Sequence, residues 1–188
     1  MTVIHLVQHG EKEPMPGDPG LTALGREQAA VTARWFRQVK LAAVYSSPLR
    51  RARQTAQPIA VAAGLPVQVD DRLRERVNWQ GAQPLDRFLA NWDRSARDRD
   101  FVPPGGESSR SAGERLRGFL AGLAGGPGPV AAVSHGGVTT DVLRTLAGDD
   151  ALPPRLLDEG IAACAITTLR DLEVIAIADI GHLLDATS

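Results

Sequence analysis

The chain has 188 residues, of which 43% are hydrophobic and 23% are charged, and its formal net charge is −1. This length and composition are typical of a soluble globular protein, and we expect residues 1–188 to form one domain. Proteins that bind nucleic acids or membrane surfaces usually have a basic face, so the charge balance disfavours both kinds of partner. The sequence has neither a signal-peptide pattern nor an apolar run of about eighteen residues, which favours a cytoplasmic protein.

Apolar runs alternate with helical patterns along the first half of the chain. Thr22 can cap a helix that ends near Val39. A second helix is expected to begin after Pro48 and to end near Gly64, with a kink or an early break at Pro58. The residues that recur at helical spacing in the first helix are Leu24, Gln28, Val31, Trp35 and Val39. The predicted strands of this half cover residues 3–7, 42–45 and 67–69.

The second half continues the alternation, with a looser stretch over 76–110 that is expected to form a small helical cap or lid. Its pattern predicts one amphipathic helix that contains Trp79, Phe88, Leu89 and Trp92. The later predicted elements are helices that begin near Ser111 and Gly137, strands over 130–134, 163–169 and 172–180, and a hairpin turn at Arg170 and Asp171. This alternation predicts an α/β fold with three layers and a mostly parallel central sheet.

Two histidines follow predicted strands that are far apart in the sequence. His9 and His135 each come directly after a short apolar run. Each is followed by a glycine, Gly10 or Gly136, which permits a sharp turn at the carboxyl end of the strand. Ligands bind at this end of the strands in open α/β sheets. The sequence therefore predicts a site where the two imidazoles lie close together.

Arginines and one carboxylate provide further polar groups near this predicted site. Arg51 and two neighbouring arginines lie at another strand-to-helix junction, where guanidinium groups favour an anionic ligand. Glu75 lies between Arg74 and Arg76, in a stretch that is expected to be too polar for the core. Glu75 is the best candidate for a proton donor. One or two of the arginines in these two stretches are expected to contact the ligand.

Taken in order, these segments resemble the histidine phosphatase superfamily, in the branch that contains the phosphoglycerate-mutase-like phosphatases. The motifs that carry the resemblance are Leu6 to Glu11, Leu21 to Gly25, Ser46 to Ala56, Leu73 to Glu75, Gly105 to Ser108 and Ser134 to Gly137. The series as a whole is a stronger signal than any one motif. One position departs from the family pattern, because Gln8 stands where the Arg-His-Gly motif has its arginine.

The resemblance implies a phosphomonoester hydrolase that acts on a small phosphorylated metabolite through a phosphohistidine intermediate, without a metal or another cofactor. The catalytic residues that it implies are His9 as nucleophile, Glu75 as acid and base, His135 and Arg51. The substrate phosphate is expected to contact Gln8, Arg51 and the backbone near Gly136, where the first turn of a helix directs N–H groups toward an anion. Glutamine is neutral and has two N–H donors where arginine has five, so weakened turnover is expected.

A second interpretation is a phospho-ligand binding protein that retains the pocket but has lost turnover through Gln8. A metal hydrolase is disfavoured, because no two histidines have the spacing of a shared ligand set and Cys164 is isolated. A mutase is less favoured by family analogy, because the segment between Glu75 and Ser108 is short for enclosing a phosphorylated intermediate. The sequence leaves the alcohol of the substrate and the oligomeric state open.

Several polar residues outside this set are expected to be structural. His5 and His182 lie in no catalytic motif, and Asp141 is expected on the surface of its helix or as a cap beneath the site. Cys164 is the only cysteine, so it cannot form an intrachain disulfide. The strand predicted around Cys164 makes it a packing residue.

Overall fold

A six-stranded sheet forms the centre of the computed structural model, which describes residues 1–184. The strands are β1 (Val3–Gln8), β2 (Ala43–Ser46), β3 (Val67–Val69), β4 (Val130–Ser134), β5 (Ile166–Arg170) and β6 (Glu173–Asp179). They lie in the order β3-β2-β4-β1-β5-β6. Neighbouring strands from β3 to β1 are parallel, whereas β5 is antiparallel to both β1 and β6. The predicted α/β class with a mostly parallel sheet is confirmed.

Helices pack on both faces of this sheet. They are α1 (Ala23–Phe36), α2 (Arg50–Ala63), α3 (Leu85–Arg97), α4 (Ser109–Leu123), α5 (Gly136–Ala147), α6 (Arg155–Glu159) and α7 (Gly181–Leu184). Val7 and Val133 pack with α1 and α2 in one apolar cluster, whereas Leu6 and Ala132 pack with α4 and α5 in another. Successive strand residues point to opposite faces, so β1 and β4 form the middle layer of three. The one-domain organisation with a cap over 76–110 stays a prediction.

The buried face of α1 differs from the predicted one. Gly25, Ala29, Ala33 and Phe36 are buried, whereas Leu24 is 49% exposed. These residues, small apart from Phe36, let the helix backbone approach its neighbours, and α1 packs against α2 along its length. The close approach determines the buried face here, although the larger side chains have the more obvious periodicity. The helix also ends earlier than predicted.

The second helix ends as predicted but continues through its proline. Gly64 has a φ of +67°, a left-handed conformation that favours glycine and ends α2. Pro58 lies inside the helix, so the predicted early break is wrong. Ala56 and Ile59, on either side of Pro58, are fully buried. Burial of this apolar face compensates for the one helical hydrogen bond that proline removes.

The second half contains the predicted elements with shifted boundaries. α3 begins at Leu85, so Trp79 lies in the loop before it, and α4 begins directly after its N-cap Ser108. β5 begins only at Ile166, because Cys164 has a φ of +56°, which is incompatible with a strand. Sequence periodicity did not predict α6, since a helix of five residues is too short to show it. None of the helices described here has the length and apolar character needed to cross a bilayer.

Two glycines let the loop after β1 lie directly on α1. A Cβ atom on Gly25 would overlap the backbone carbonyl of Glu11, and one on Gly10 would lie 2.5 Å from the carbonyl oxygen of Gly25. Gly25 also donates its N–H to the Thr22 hydroxyl at the start of the helix. This close approach fixes the path of residues 9–12.

Gly25→Ala should lower the free energy of unfolding by about 1–3 kcal/mol, because the new methyl group overlaps a backbone carbonyl that cannot rotate away. The matched control is Gly118→Ala in α4, where an added Cβ meets no atom within 4 Å. That control should raise stability by about 0.5–1 kcal/mol, as alanine does in an open helix interior. Urea unfolding of both variants measures the difference, and equal effects would contradict the close approach.

Candidate functional site

The two histidines that follow the predicted strands lie together, as the sequence indicates. His9 follows β1, and His135 follows β4 at the N-cap of α5. The two strands are parallel neighbours in which Gln8 pairs with Ser134, so their carboxyl ends meet at one edge of the sheet. The two imidazole centroids are 5.2 Å apart.

Hydrogen bonds define the protonation state of His9. Its Nδ1 lies 2.7 Å from the carbonyl oxygen of Gly10, so Nδ1 carries the proton and donates it. Its Nε2 lies 3.1 Å from Nε of Arg51, which donates to it. Burial, together with the positive charges of Arg51 and Lys12, lowers the pKa of His9 to about 3 against the raising effect of the Gly10 hydrogen bond. His9 is therefore neutral at physiological pH, with a lone pair on Nε2.

His135 is fully buried beside His9. Its Nε2 lies 2.7 Å from the hydroxyl oxygen of Ser47, which follows β2. Within residues 1–184, its Nδ1 has no hydrogen-bond partner. Burial, followed by the positive charge of Arg51, lowers the pKa of His135 well below its usual value. A second neutral imidazole therefore lies next to the first.

Arg51 is the main cation of this cluster and is only 3% exposed. Its Nη2 donates to the Asn78 side-chain oxygen at 3.2 Å, while its Nη1 is buried without a partner in the part of the chain that the structure describes. An unpaired buried N–H group is costly unless a ligand binds it. Of the arginines singled out in the sequence, Arg51 alone lines the pocket beside His9.

Gln8 faces the same nitrogen of His9 as Arg51 does. Its side-chain nitrogen lies 3.5 Å from Nε2 of His9, and its side-chain oxygen is buried with no partner among the described residues. A Cβ atom on Gly136 would lie 3.6 Å from both amide atoms of Gln8. Gln8 therefore places a neutral amide beside His9 and the start of α5, but it is not among the residues that line the pocket.

Glu75 lies at the amino terminus of α5. Its carboxylate accepts the backbone N–H groups of Gly137 and Val138 at 3.0 and 2.9 Å, and that of Arg76 at 2.8 Å. The expectation that the first turn of this helix is free to bind a phosphate is therefore wrong at these two positions. The group at the positive end of the helix dipole is therefore the carboxyl group of Glu75.

The arginines on either side of Glu75 bind other carboxylates. Arg76 is buried and its Nη1 lies 3.0 Å from both oxygens of Asp141, which is completely buried. The prediction of a helix-surface position for Asp141 is wrong, and the prediction of a segment too polar for the core is wrong at Arg76, because these two buried charges are partners. Burial raises the pKa of Asp141 to about 6, against the opposing effects of Arg76 and the Ser109 hydroxyl. The Arg76 guanidinium also stacks 4.1 Å over the ring of Trp92.

A pocket of about 310 Å³ opens beside these groups. His9, Arg51 and Glu75 are among the polar residues that line it. Its apolar side consists of the lining residues Val77, Trp79, Leu85, Phe88, Leu89 and Trp92. Within residues 1–184, no group of three or more His, Cys, Asp or Glu side chains is arranged to hold a metal ion.

Lys12 and Asn78 line the pocket but were missed by the sequence analysis. The Lys12 ammonium has a long contact of 3.5 Å with the Glu13 carbonyl and pairs with no carboxylate in the described part of the chain. Burial and the nearby charge of Arg51 lower the pKa of Lys12. A signal was available, since Lys12 and Lys40 are the only lysines of the chain and Lys12 follows directly on the first motif.

The remaining titratable residues that the sequence analysis singled out lie outside this site. His5 contacts the Thr168 hydroxyl at 3.2 Å, and His182 contacts the Thr32 hydroxyl at 3.0 Å. Both have the structural role that was expected. Cys164 is fully buried, and burial raises the pKa of its thiol to about 11.

Comparison with known proteins identifies related sequences and structures. Residues 4–171 match the histidine phosphatase superfamily (branch 1). A glucosyl-3-phosphoglycerate phosphatase of Mycolicibacterium vanbaalenii is 32% identical over 167 residues, which cover 76% of this chain and 73% of that protein. A probable phosphoglycerate mutase of Escherichia fergusonii is 32% identical over 84% of this chain and 80% of its own length. A solved mycobacterial glucosyl-3-phosphoglycerate phosphatase in complex with inorganic phosphate has a TM-score of 0.71 and 30% identity over 95% of both chains.

Proposed function

The chain belongs to the histidine phosphatase superfamily, and we propose that it hydrolyses a small phosphomonoester through a phosphohistidine at His9, without a metal ion. The observation that carries this proposal is the state of His9, which is buried and neutral and has its Nε2 lone pair at the pocket. A neutral imidazole whose other nitrogen is fixed by a hydrogen bond is a good nucleophile toward phosphorus. The relatives that are named as phosphatases support this reaction class.

In the first step, Nε2 of His9 attacks phosphorus and the bond from phosphorus to the alcohol oxygen breaks. The phosphate displaces the contact between Arg51 and His9, so Arg51 donates to the phosphoryl oxygens instead. The unpartnered Nη1 of Arg51 and the amide of Gln8 provide further donors at the same place. Fixed donors stabilise the charge that spreads over these oxygens in the transition state.

Glu75 transfers the protons of both steps. In the first step its carboxylic acid gives a proton to the leaving alcohol, and in the second its carboxylate takes a proton from the water that attacks phosphohistidine. Glu75 lines the pocket, and the N–H groups of Gly137 and Val138 fix the orientation of its carboxyl group. His135 adds a buried polar group next to the phosphoryl position, held by Ser47.

Gln8 stands at the position where the family pattern has an arginine, so this site lacks one positive charge beside His9. Lys12 compensates for this loss. It lines the same pocket as Arg51, has no carboxylate partner within residues 1–184, and is close enough for its charge to lower the pKa of His9. Arg51 and Lys12 together therefore give the phosphate two cations.

Incubation with a good substrate such as an aryl phosphate, followed by rapid quench, should trap an acid-labile and base-stable phosphoryl group on His9. His9→Ala should form no adduct and should lose turnover by a factor of about a thousand or more, because no other group at the site within residues 1–184 replaces the nucleophile. Full turnover by His9→Ala would rule out the proposed reaction. Binding of phosphate by the wild type without any turnover would instead favour the phospho-ligand binding protein.

Glu75→Gln should slow alkyl phosphates far more than aryl phosphates, because a phenolate leaves without a proton and an alkoxide does not. We expect about a hundredfold larger loss of kcat/KM for the alkyl ester, because kcat/KM reports only the steps up to phosphoryl transfer and a positioned acid contributes about 10²–10⁴-fold there. Glutamine keeps the size of the side chain and one acceptor for the N–H groups of α5. Equal losses for the two esters would remove Glu75 from this role.

Lys12→Met should lower kcat/KM for an aryl phosphate by about ten- to a hundredfold, whereas Lys40→Met, at the other lysine and exposed, should not. Gln8→Arg should restore most of this loss in the Lys12→Met background and should raise kcat/KM less in the wild type, because a charge at one position makes the other less necessary. Additive effects in this double-mutant cycle would show that Lys12 does not replace the missing arginine.

A further inference from the structure

The polar and the apolar residues that line the pocket beside His9 have different roles. A phosphate that reacts with His9 lies against Arg51, which donates to His9, so the alcohol of the ester extends toward the other lining residues. The apolar side of this lining comes from the loop after Glu75 and from α3. Its composition therefore determines which alcohol the site accepts.

The apolar side contains three neighbouring aromatic rings together with two leucines. The Phe88 ring lies 6.4 Å from the Trp79 ring and 6.2 Å from the Trp92 ring, measured between centroids. Leu85 and Leu89 are 47% and 52% exposed, so they contribute little to the protein core. Apolar surface left in water at a pocket gains free energy when a ligand covers it.

The polar groups on this side already have partners. The Asn78 side chain accepts from Arg51 and donates to the Gly17 carbonyl. The Trp79 indole N–H donates to the Gln83 carbonyl at 2.9 Å. A sugar or an amino-acid moiety here would lose water from its hydroxyl or amino groups without finding new hydrogen bonds, which is costly.

We propose that the preferred substrate is a small phosphomonoester whose alcohol carries an apolar ring, placed between Trp79, Phe88 and the leucines of α3. This inference rests on the proposed phosphatase function of the same site. The volume of about 310 Å³ is near the lower limit of small-molecule pockets and fits one ring with its phosphate. The relatives named for glucosyl-3-phosphoglycerate act on a more polar ester, so this pocket predicts a different specificity.

The test compares 2-phenylethyl phosphate with glycerol 3-phosphate and phosphoserine, which all release a primary alcohol and need the same protonation. We expect kcat/KM for the phenylethyl ester to exceed that for the other two by at least about tenfold. Leu89→Gln should lower this ratio by about tenfold, because it places an amide against the ring. Val61→Gln, at another exposed apolar position on α2 outside the pocket, should leave the ratio unchanged.

A binding measurement separates this inference from the proposed function. 2-Phenylethylphosphonate cannot be hydrolysed and should change the fluorescence of Trp79 and Trp92, with weaker binding for Leu89→Gln than for Val61→Gln. Turnover of all three esters with equal kcat/KM would overturn the specificity and leave the phosphatase function intact. Binding of the phosphonate by a protein that hydrolyses no ester would overturn the phosphatase function and leave the ring-binding pocket.

Discussion

The buried ion pair between Arg76 and Asp141 holds together the segments that form the pocket. Arg76 follows Glu75 in the loop, Asp141 lies on α5, and the Arg76 guanidinium stacks on Trp92 of α3. Ser95 of α3 also contacts this guanidinium, at 3.2 Å. Loss of either charge would leave the other buried and unpaired, at a cost of about 3–5 kcal/mol. The acid of the proposed reaction and the apolar side of the pocket thus depend on the same contact.

Positive charge has two consequences at His9. Arg51 and Lys12 attract an anionic ligand, and the same charges disfavour a proton on the imidazole. A protonated His9 would lose its lone pair and could not attack phosphorus. Burial acts in the same direction, because it penalises the charged imidazolium. The cations proposed to bind the substrate therefore also keep His9 neutral, with a lone pair on Nε2. Within residues 1–184, His9 has no carboxylate partner.

The sequence predicts those features of the site that depend on strand order and local turns. His9 and His135 could be brought together because parallel strands end at one edge of a sheet, and the end of α2 followed from Gly64. Asp141 could not be placed in the same way. Its burial depends on a partner that is 65 residues away in the sequence, and helical periodicity carries no information on that partner. Lys12 was missed because a loop has no periodicity from which a side-chain direction could be derived.

The proposed replacement of an arginine at position 8 by Lys12 has a physical rationale. A guanidinium at position 8 would lie beside His9 and would add a second positive charge near the buried Arg51. Lys12 is only partly buried, so its ammonium keeps some hydration when no ligand is bound. Without a ligand, the site then has less repulsion between like charges. Its attraction for a phosphate is correspondingly weaker beside Gln8. The proposed contact between an apolar ring and α3 would offset this weaker attraction, because it would hold the ester from its other end.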